Sequence, residues 1–361
     1  MTLSTVQTAN VVKQWDADFY REYIRDNRFA RYQGTDVNSI IQLKEDLTKK
    51  PGDALTLSLV AALSGAGVTG NALLEGAEEA MLNYGHQITI QAYRNAVALT
   101  EWEEQKTAMG LRKAAKPILK EWAMQLNKTH ILNALGSVRA TAGTIVNYGS
   151  ATEAQKDQWL QANLDRVLFG ATLNNTDGSG GDGGGADHSD SLLAIANTEK
   201  LTAAQVSLYK RMAKRADPII RPVRVNGDEE WYVLFVDSLA YRDLKADLKS
   251  TLADARERGK GNPLFTDGDI TYDGVIIREI PEIASLGGVG DSGATISPVY
   301  LCGAQALGHV IGKRWASVTE ERDYKFVNGV AVAGFFGIEK LFFNAKQHGV
   351  LTGYVAAAAD A

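Results

Sequence analysis

The sequence predicts an α+β fold, and three observations carry that expectation. Helical spacing of apolar residues prevails in the first half of the chain. Two segments of alternating polarity, over 53–60 and 86–93, interrupt it, and short β-prone runs bounded by turn residues prevail after residue 229. The regular succession of strand and helix that marks a doubly wound or barrel fold is missing, and no fixed-period repeat occurs. A chain of 361 residues has room for two or three domains. Its 45% hydrophobic and 22% charged residues supply a substantial core.

Residues 11–32 read as a highly charged helix in which Trp15, Phe19, Tyr23 and Ile24 share one face, ended by Gly34. One narrow apolar stripe does not fold alone, so this segment reads as an arm that packs on something else. "DALTLSLV", Asp53 to Val60, places Leu55, Leu57 and Leu59 on one face of a half-buried strand. "HQITIQAY", His86 to Tyr93, alternates in the same way and carries Ile88 and Ile90. The glycine-rich connection between them is too long for a tight hairpin. The simplest geometry is a long two-stranded arm with an elaborated tip. An isolated ribbon is marginally stable and invites pairing along its edges, so unless the rest of the chain covers it, another subunit must.

Glu101 to Leu135 reads as helix, with a kink or restart expected at Pro117, which lacks an amide hydrogen. A helix over 152–168 is expected with Thr152 as N-cap, and another over 201–216 with Thr202 as cap and Pro218 closing it. "EEWYVLFV", Glu229 to Val236, is a buried strand, after which Asp237 or Ser238 caps a short helix. Asp273-Gly274 is a turn ahead of a strand at Val275 to Ile277, and "SPVYLCGAQAL" mixes a strand with a helix start. Asn328-Gly329, between two β-prone runs, is the best local hairpin signal in the chain.

Composition and motifs exclude several functions. The net charge is −5 and the densest basic cluster, Lys210 to Arg215, is spread around a helix, which disfavours charge-driven nucleic-acid binding. Cys302 is the single cysteine, so no intrachain disulfide forms. The N-terminus does not read as a secretory signal, and the apolar stretch over 328–343 is broken by Glu339 and Lys340 and is too short for a bilayer span. Gly178, Gly180 and Gly183 match GxGxxG, but a helix rather than a strand precedes them and "ADHSD" reads as polar coil. This run, Asn174 to Asp190, therefore reads as a flexible excursion kept solvated by Asp177, Asp182, Asp187 and Asp190, with a cation at this loop bridging subunits as the competing reading. "GDSG", Gly290 to Gly293, lacks the histidine and acid setting of a serine protease and reads as a surface loop. Neither histidine spacing nor cysteine number supports a metal centre, and the tryptophans read as core. No catalytic, cofactor-binding or metal-ligating residue is expected.

Several segments, taken in order, resemble one family. They are "PGDALTLSLVAALSGAGVTGNALLEGAEEAM", "EEWYVLFVDSLAYRDLKAD", "GNPLFTDGDITYDGVIIREIPEI" and "NGVAVAGFFGIEKLFFN". They are similar to segments of major capsid proteins of tailed double-stranded DNA phages, in the N-four-type branch, over about residues 50–345. The loop at 285–295 and the glycine run match no pattern of that family.

The resemblance implies the Hong Kong 97-type capsid fold, with an N-terminal arm (1–50), an extended loop (51–97), a peripheral domain with a spine helix (98–194 and 311–361) and an axial domain (195–310). It implies a shell subunit assembling through hexamers and pentamers around packaged double-stranded DNA, without sequence-specific binding and without a membrane. Leu55, Leu57, Leu59, Val68, Thr69, Leu74, Glu75, Ile88 and Ile90 on the loop, and Trp15, Phe19 and Tyr23 on the arm, are then expected at subunit contacts. Burial of each alternating apolar residue against a neighbour would contribute ~1.5–3 kcal/mol as an upper bound. The expected partners are a separate scaffolding protein, because no long extension precedes the arm, together with a portal and in some shells a decoration protein. The expected location is the virion, after synthesis in the host bacterial cytoplasm. A cellular encapsulating compartment of the same fold is the alternative, and an enzyme using the glycine run as a ligand loop is the competing class.

Overall fold

The computed structural model describes residues 28–48, 52–63, 65, 67–71, 73–76, 78–106, 111–140, 143–171, 186–225, 229–248 and 270–360. Trp15, Phe19 and Tyr23 lie outside the described residues, as does the glycine run up to Gly185. In chain order come β1 (Gln33–Gly34), β2 (Ile41–Lys44), β3 (Ala54–Val60), β4 (Asn83–Thr89), β5 (Gln91–Thr100), α1 (Glu101–Lys106), α2 (Leu111–Gly136), β6 (Val138–Arg139) and β7 (Ile145–Val146). There follow α3 (Glu153–Ala162), β8 (Val167–Phe169), α4 (His188–Leu193), α5 (Ala203–Arg215), β9 (Val223–Val225), β10 (Glu229–Val236) and α6 (Ser238–Asp247). The last part holds β11 (Ile270–Tyr272), β12 (Val275–Glu279), β13 (Ile296–Cys302), β14 (Leu307–Arg322), β15 (Val327–Lys340), β16 (Phe342–Phe343), β17 (Lys346–Gln347) and β18 (Val350–Ala356).

The described residues fall into two compact units. The larger comprises Arg28–Gln91, Thr129–Gly312 and Phe336–Ala361. Its seven-stranded sheet runs β11-β12-β10-β13-β18-β8, with β9 added to β10. β10 is parallel to β12 and antiparallel to β13, and β18 is antiparallel to β13 and parallel to β8. Both faces of β10 are covered, which explains why its sequence is an unbroken apolar run. Tyr232, Leu234 and Val236 point to one side, against Val206 and Tyr209 of α5 and Ala240 and Leu244 of α6. Val233 and Phe235 point to the other, against Phe29, Ile131 and Leu135. Phe29 and Phe235 meet edge to face at 5.0 Å.

The helix caps on this unit are the expected ones. Thr202 Oγ1 accepts from the Gln205 amide, while the Thr202 amide donates to the Gln205 side chain. Asp237 caps α6. At α3 the Thr152 amide donates to Gln155 Oε1 at 3.0 Å. This helix ends at Ala162, however, and not at 168. Val167, Leu168 and Phe169 form a fully buried strand instead, because pairing with β18 places all three in the core. "ADHSD" is likewise not coil throughout: Asp187 caps a short helix that opens at His188.

The smaller unit comprises Ala92–Lys128 and Lys313–Phe335 together with residues 1–27, which are not described. Its core joins Ala115, Leu119 and Ala123 of α2 to Val330 and Val332 of β15, with Trp122 and Trp315 edge to face at 5.8 Å. At Pro117, where a kink or a restart is expected, α2 runs on without a restart, sacrificing one backbone bond while its apolar face stays packed. The hairpin expectation fails here. Asn328-Gly329 lies inside β15, and the chain turns at Asp323–Phe326, where Asp323, Tyr324 and Lys325 all take positive φ. The pairing of two long strands outweighs the local preference of the Asn-Gly dipeptide. The expected helix start after Cys302 is also absent: in the larger unit the chain passes from β13 into β14, whose Leu307–Val310 pair in parallel with β2.

Candidate assembly surface

The predicted ribbon forms in the larger unit. β3 and β4 pair antiparallel over seven residues, from Ala54↔Thr89 to Val60↔Asn83. Leu55 thus stands opposite Ile88, Leu57 opposite His86 and Leu59 opposite Tyr84. The second alternating segment is split, because β4 ends at Thr89, Ile90 donates its amide to the Asp53 carbonyl, and a separate strand starts at Gln91.

The base of the ribbon packs on its own chain. Ile88 is 0% exposed, in a cluster with Val310, Leu341 and Phe343 that also takes in Leu55, Leu57, Leu59 and Ile90. This corrects the expectation that one chain leaves the alternating face open for a neighbour, most plainly for Ile88. Glycines make the seat. A Cβ on Gly308 would stand 2.4 Å from Ile88 Cδ1, and one on Gly337 would stand 2.3 Å from the Thr89 carbonyl oxygen. Leu57 and Leu59 remain half-buried because they line a cavity of about 280 Å³ whose other walls include Gln42, Gln305 and His348. His86, 5% exposed, faces Glu339 at 3.3 Å.

The tip is different. Leu63, Leu73, Leu74, Met81 and Leu82 are 56–82% exposed, and Thr69 and Glu75 are exposed beside a half-buried Val68. Gly67, Gly70 and Gly76 take positive φ with open space where a side chain would stand, so they serve the backbone path and not packing. Two carboxylates hold the path locally: Glu79 accepts from the Gly65 amide at 2.7 Å and Glu78 from the Gly76 amide at 2.8 Å. Of these exposed apolar residues, Leu74 is one that the sequence resemblance singles out. It does not single out Leu63, Leu73, Met81 and Leu82, although apolar pairs in a glycine-rich polar stretch are the signal that marks them.

Near the seat, burial works against the charged form of several titratable groups. The Lys340 ammonium is brought down to about 7, opposed by the nearby Cys302. His309 falls to about 4 by burial, against the pull of Glu45. His348 falls to about 4 by burial and by the charges of Arg166 and Arg221. The Cys302 thiol is buried and pushed far above its ordinary range. Ser292 of "GDSG" sits in a tight turn at Asp291–Gly293 and bonds to its neighbour Asp291 at 3.2 Å.

This chain is matched over residues 4–358 by the model of a family described as phage capsid protein. It is 30% identical, over 95% of its length and 94% of the relative's, to the major capsid protein of Pseudomonas phage KPP25. Its structure is similar over the whole of both chains to the capsid asymmetric unit of cyanophage Pam1, with TM-score 0.90 and 36% identity. It is also similar to the capsid of Ralstonia phage GP4, with TM-score 0.75 and 21% identity over the whole of both chains.

Proposed function

The chain belongs to the phage capsid protein family, and we propose that it builds a phage head shell through hexamers and pentamers that enclose double-stranded DNA. It is a major capsid protein with the Hong Kong 97-type fold. The observation that carries the reading is the match to the Pam1 capsid subunit over all of both chains at 36% identity. The relatives are phage capsids, which does not favour a cellular compartment.

In this reading the ribbon tip lies on a neighbouring subunit. The five large apolar residues left exposed there support it, since single chains rarely present such a cluster to water. Each contact recurs around closed rings, so individually weak interfaces give a stable shell. A net charge of −5 suits a container that holds DNA without adhering to it. Residues 1–50 would act as the arm, 51–97 as the extended loop, 98–194 with 311–361 as the peripheral domain and 195–310 as the axial domain. A scaffolding protein, a portal and in some shells a decoration protein would be the partners, with assembly in the host cytoplasm.

Electron microscopy of the chain co-expressed with its scaffold tests this. Closed shells are expected, and deletion of 64–79 is expected to leave a folded chain that forms none. A strictly monomeric product from the intact chain, or normal shells from the deletion, would overturn the respective assignment.

A further inference from the structure

Glu153 and Asp157 are four residues apart on α3, so they share a face of that helix. Asp187, which caps α4, comes to the same place, and one carboxylate oxygen from each of the three residues lies within 4.8 Å of the others. The backbone fixes two of them: Asp157 Oδ1 accepts from the His188 amide at 2.8 Å, and Asp187 Oδ1 from the Asp190 amide at 2.9 Å and the Ser189 hydroxyl at 2.9 Å. Among the described residues, the lysine paired with the trio is Lys156, 3.3 Å from Glu153 Oε2. Burial and the charges of Glu153 and Asp187 raise the Asp157 carboxyl, against the His188 amide bond.

A second observation points to a ligand. His188 is 0% exposed, and its ring is enclosed by Tyr148, Trp159, Phe169 and Tyr354. Its Nε2 is placed against two phenol oxygens, Tyr354 at 3.4 Å and Tyr148 at 3.5 Å. Its Nδ1 is buried without a hydrogen bond and is aimed at Glu153 Oε1, 3.5 Å away. The two phenols hold the ring in place, with Nδ1 turned toward the carboxylates.

We propose that Glu153, Asp157 and Asp187 form a divalent-cation site tying α3 to the start of α4, with the buried His188 Nδ1 facing Glu153. Three carboxylates suit a hard divalent cation such as Ca²⁺ or Mn²⁺. No residue of the ribbon takes part, so the site stands or falls separately from the assembly reading.

The test uses the full chain, stripped with a chelator and titrated calorimetrically with Mn²⁺, Zn²⁺ and Ca²⁺. One site per chain is expected for at least one of these ions. A hundredfold excess over the dissociation constant is expected to raise the melting midpoint by about 3–6 °C. In Asp157→Asn/Asp187→Asn the amides still accept the same backbone bonds and asparagine still caps α4. This variant is expected to melt, metal-free, close to the parent and to bind at least tenfold more weakly. Absence of saturable binding for all three ions, or unchanged affinity in the double variant, would overturn the proposal. Glu153→Gln gives an independent check, since it removes the charge that His188 faces.

Discussion

Lys340 and Leu135 meet in the interior of the larger unit. The Lys340 Nζ stands 2.9 Å from the Leu135 carbonyl in the last turn of α2 and 3.2 Å from Gln347 Oε1, and the lysine is 0% exposed. A cation at a helix C-terminus is favourable, yet among the described residues no carboxylate pairs with this lysine, and the rings of Trp159 and Phe342 lie 5.6 and 5.4 Å from it.

Burial brings Lys340 from 10.5 down to about 7 in the folded chain. Between those values the unfolded chain binds more protons than the folded one, so stability rises with pH from about 7 upward and is flat below. The slope approaches about 1 kcal/mol per pH unit. Cys302 works in the opposite direction once the unfolded thiol ionises near 9, which confines the clean window to pH 7–8.5. Urea melts across that window are expected to show stability increasing in the parent and a flatter profile in Lys340→Met. Identical slopes would count against a neutral buried amine.

Gly337 and Gly308 seat the ribbon in different ways. A Cβ on Gly337 meets the backbone of Thr89, which has nowhere to move, whereas one on Gly308 meets the end of the Ile88 side chain. Gly337→Ala is therefore expected to cost about 1–3 kcal/mol, and Gly308→Ala less. Thermal melts would rank them, and the reverse order would show that the backbone around Thr89 yields more readily than the Ile88 packing.

Much of this fold was legible where local chemistry and tertiary context agree. The strand at β10, the caps at Thr202 and Asp237, and the alternation of β3 all have a cause within a few residues. The failures have distant causes. Val167–Phe169 is a strand because β18, some 185 residues later, offers it a partner, although its spacing continues a helical pattern. Ile88 is buried by Val310 and Leu341, contacts that no period in its own segment announces. Glu153 and Asp157 of the proposed cation site were equally hidden, since Asp187 reaches α3 only through the fold.

Acid is expected to weaken the folded chain through His309 and His348. Each is brought to about 4 in the folded state, chiefly by burial, and returns to about 6.5 on unfolding. Between those values the unfolded chain takes up the protons, so stability falls as pH drops from 6.5 toward 4, by about 1 kcal/mol per pH unit for each ring. Replacing both rings with glutamine is expected to flatten the profile measured by urea titration. An unchanged profile would mean that carboxylates alone set the acid limit.

The ribbon offers the sharpest test that separates folding from the proposed assembly, because its base packs on its own chain while apolar residues of the same type stay exposed at its tip. Ile88 is 0% exposed and touches its own chain, so Ile88→Ala is expected to cost about 2–5 kcal/mol of stability. Leu73 and Leu74 are 82% and 61% exposed, so exchanging them for glutamate in the single chain removes no packing and is expected to change stability by less than about 0.5 kcal/mol. In the shell the same exchange would bury two charges without partners at every repeat of the contact, a cost multiplied around each ring. Leu73→Glu/Leu74→Glu is thus expected to melt like the parent and to yield no closed shells when co-expressed with scaffold. Ile88→Ala is expected to lower the melting midpoint first and shell yield only in proportion. Normal shells from the double glutamate variant would place the subunit contact elsewhere on the chain.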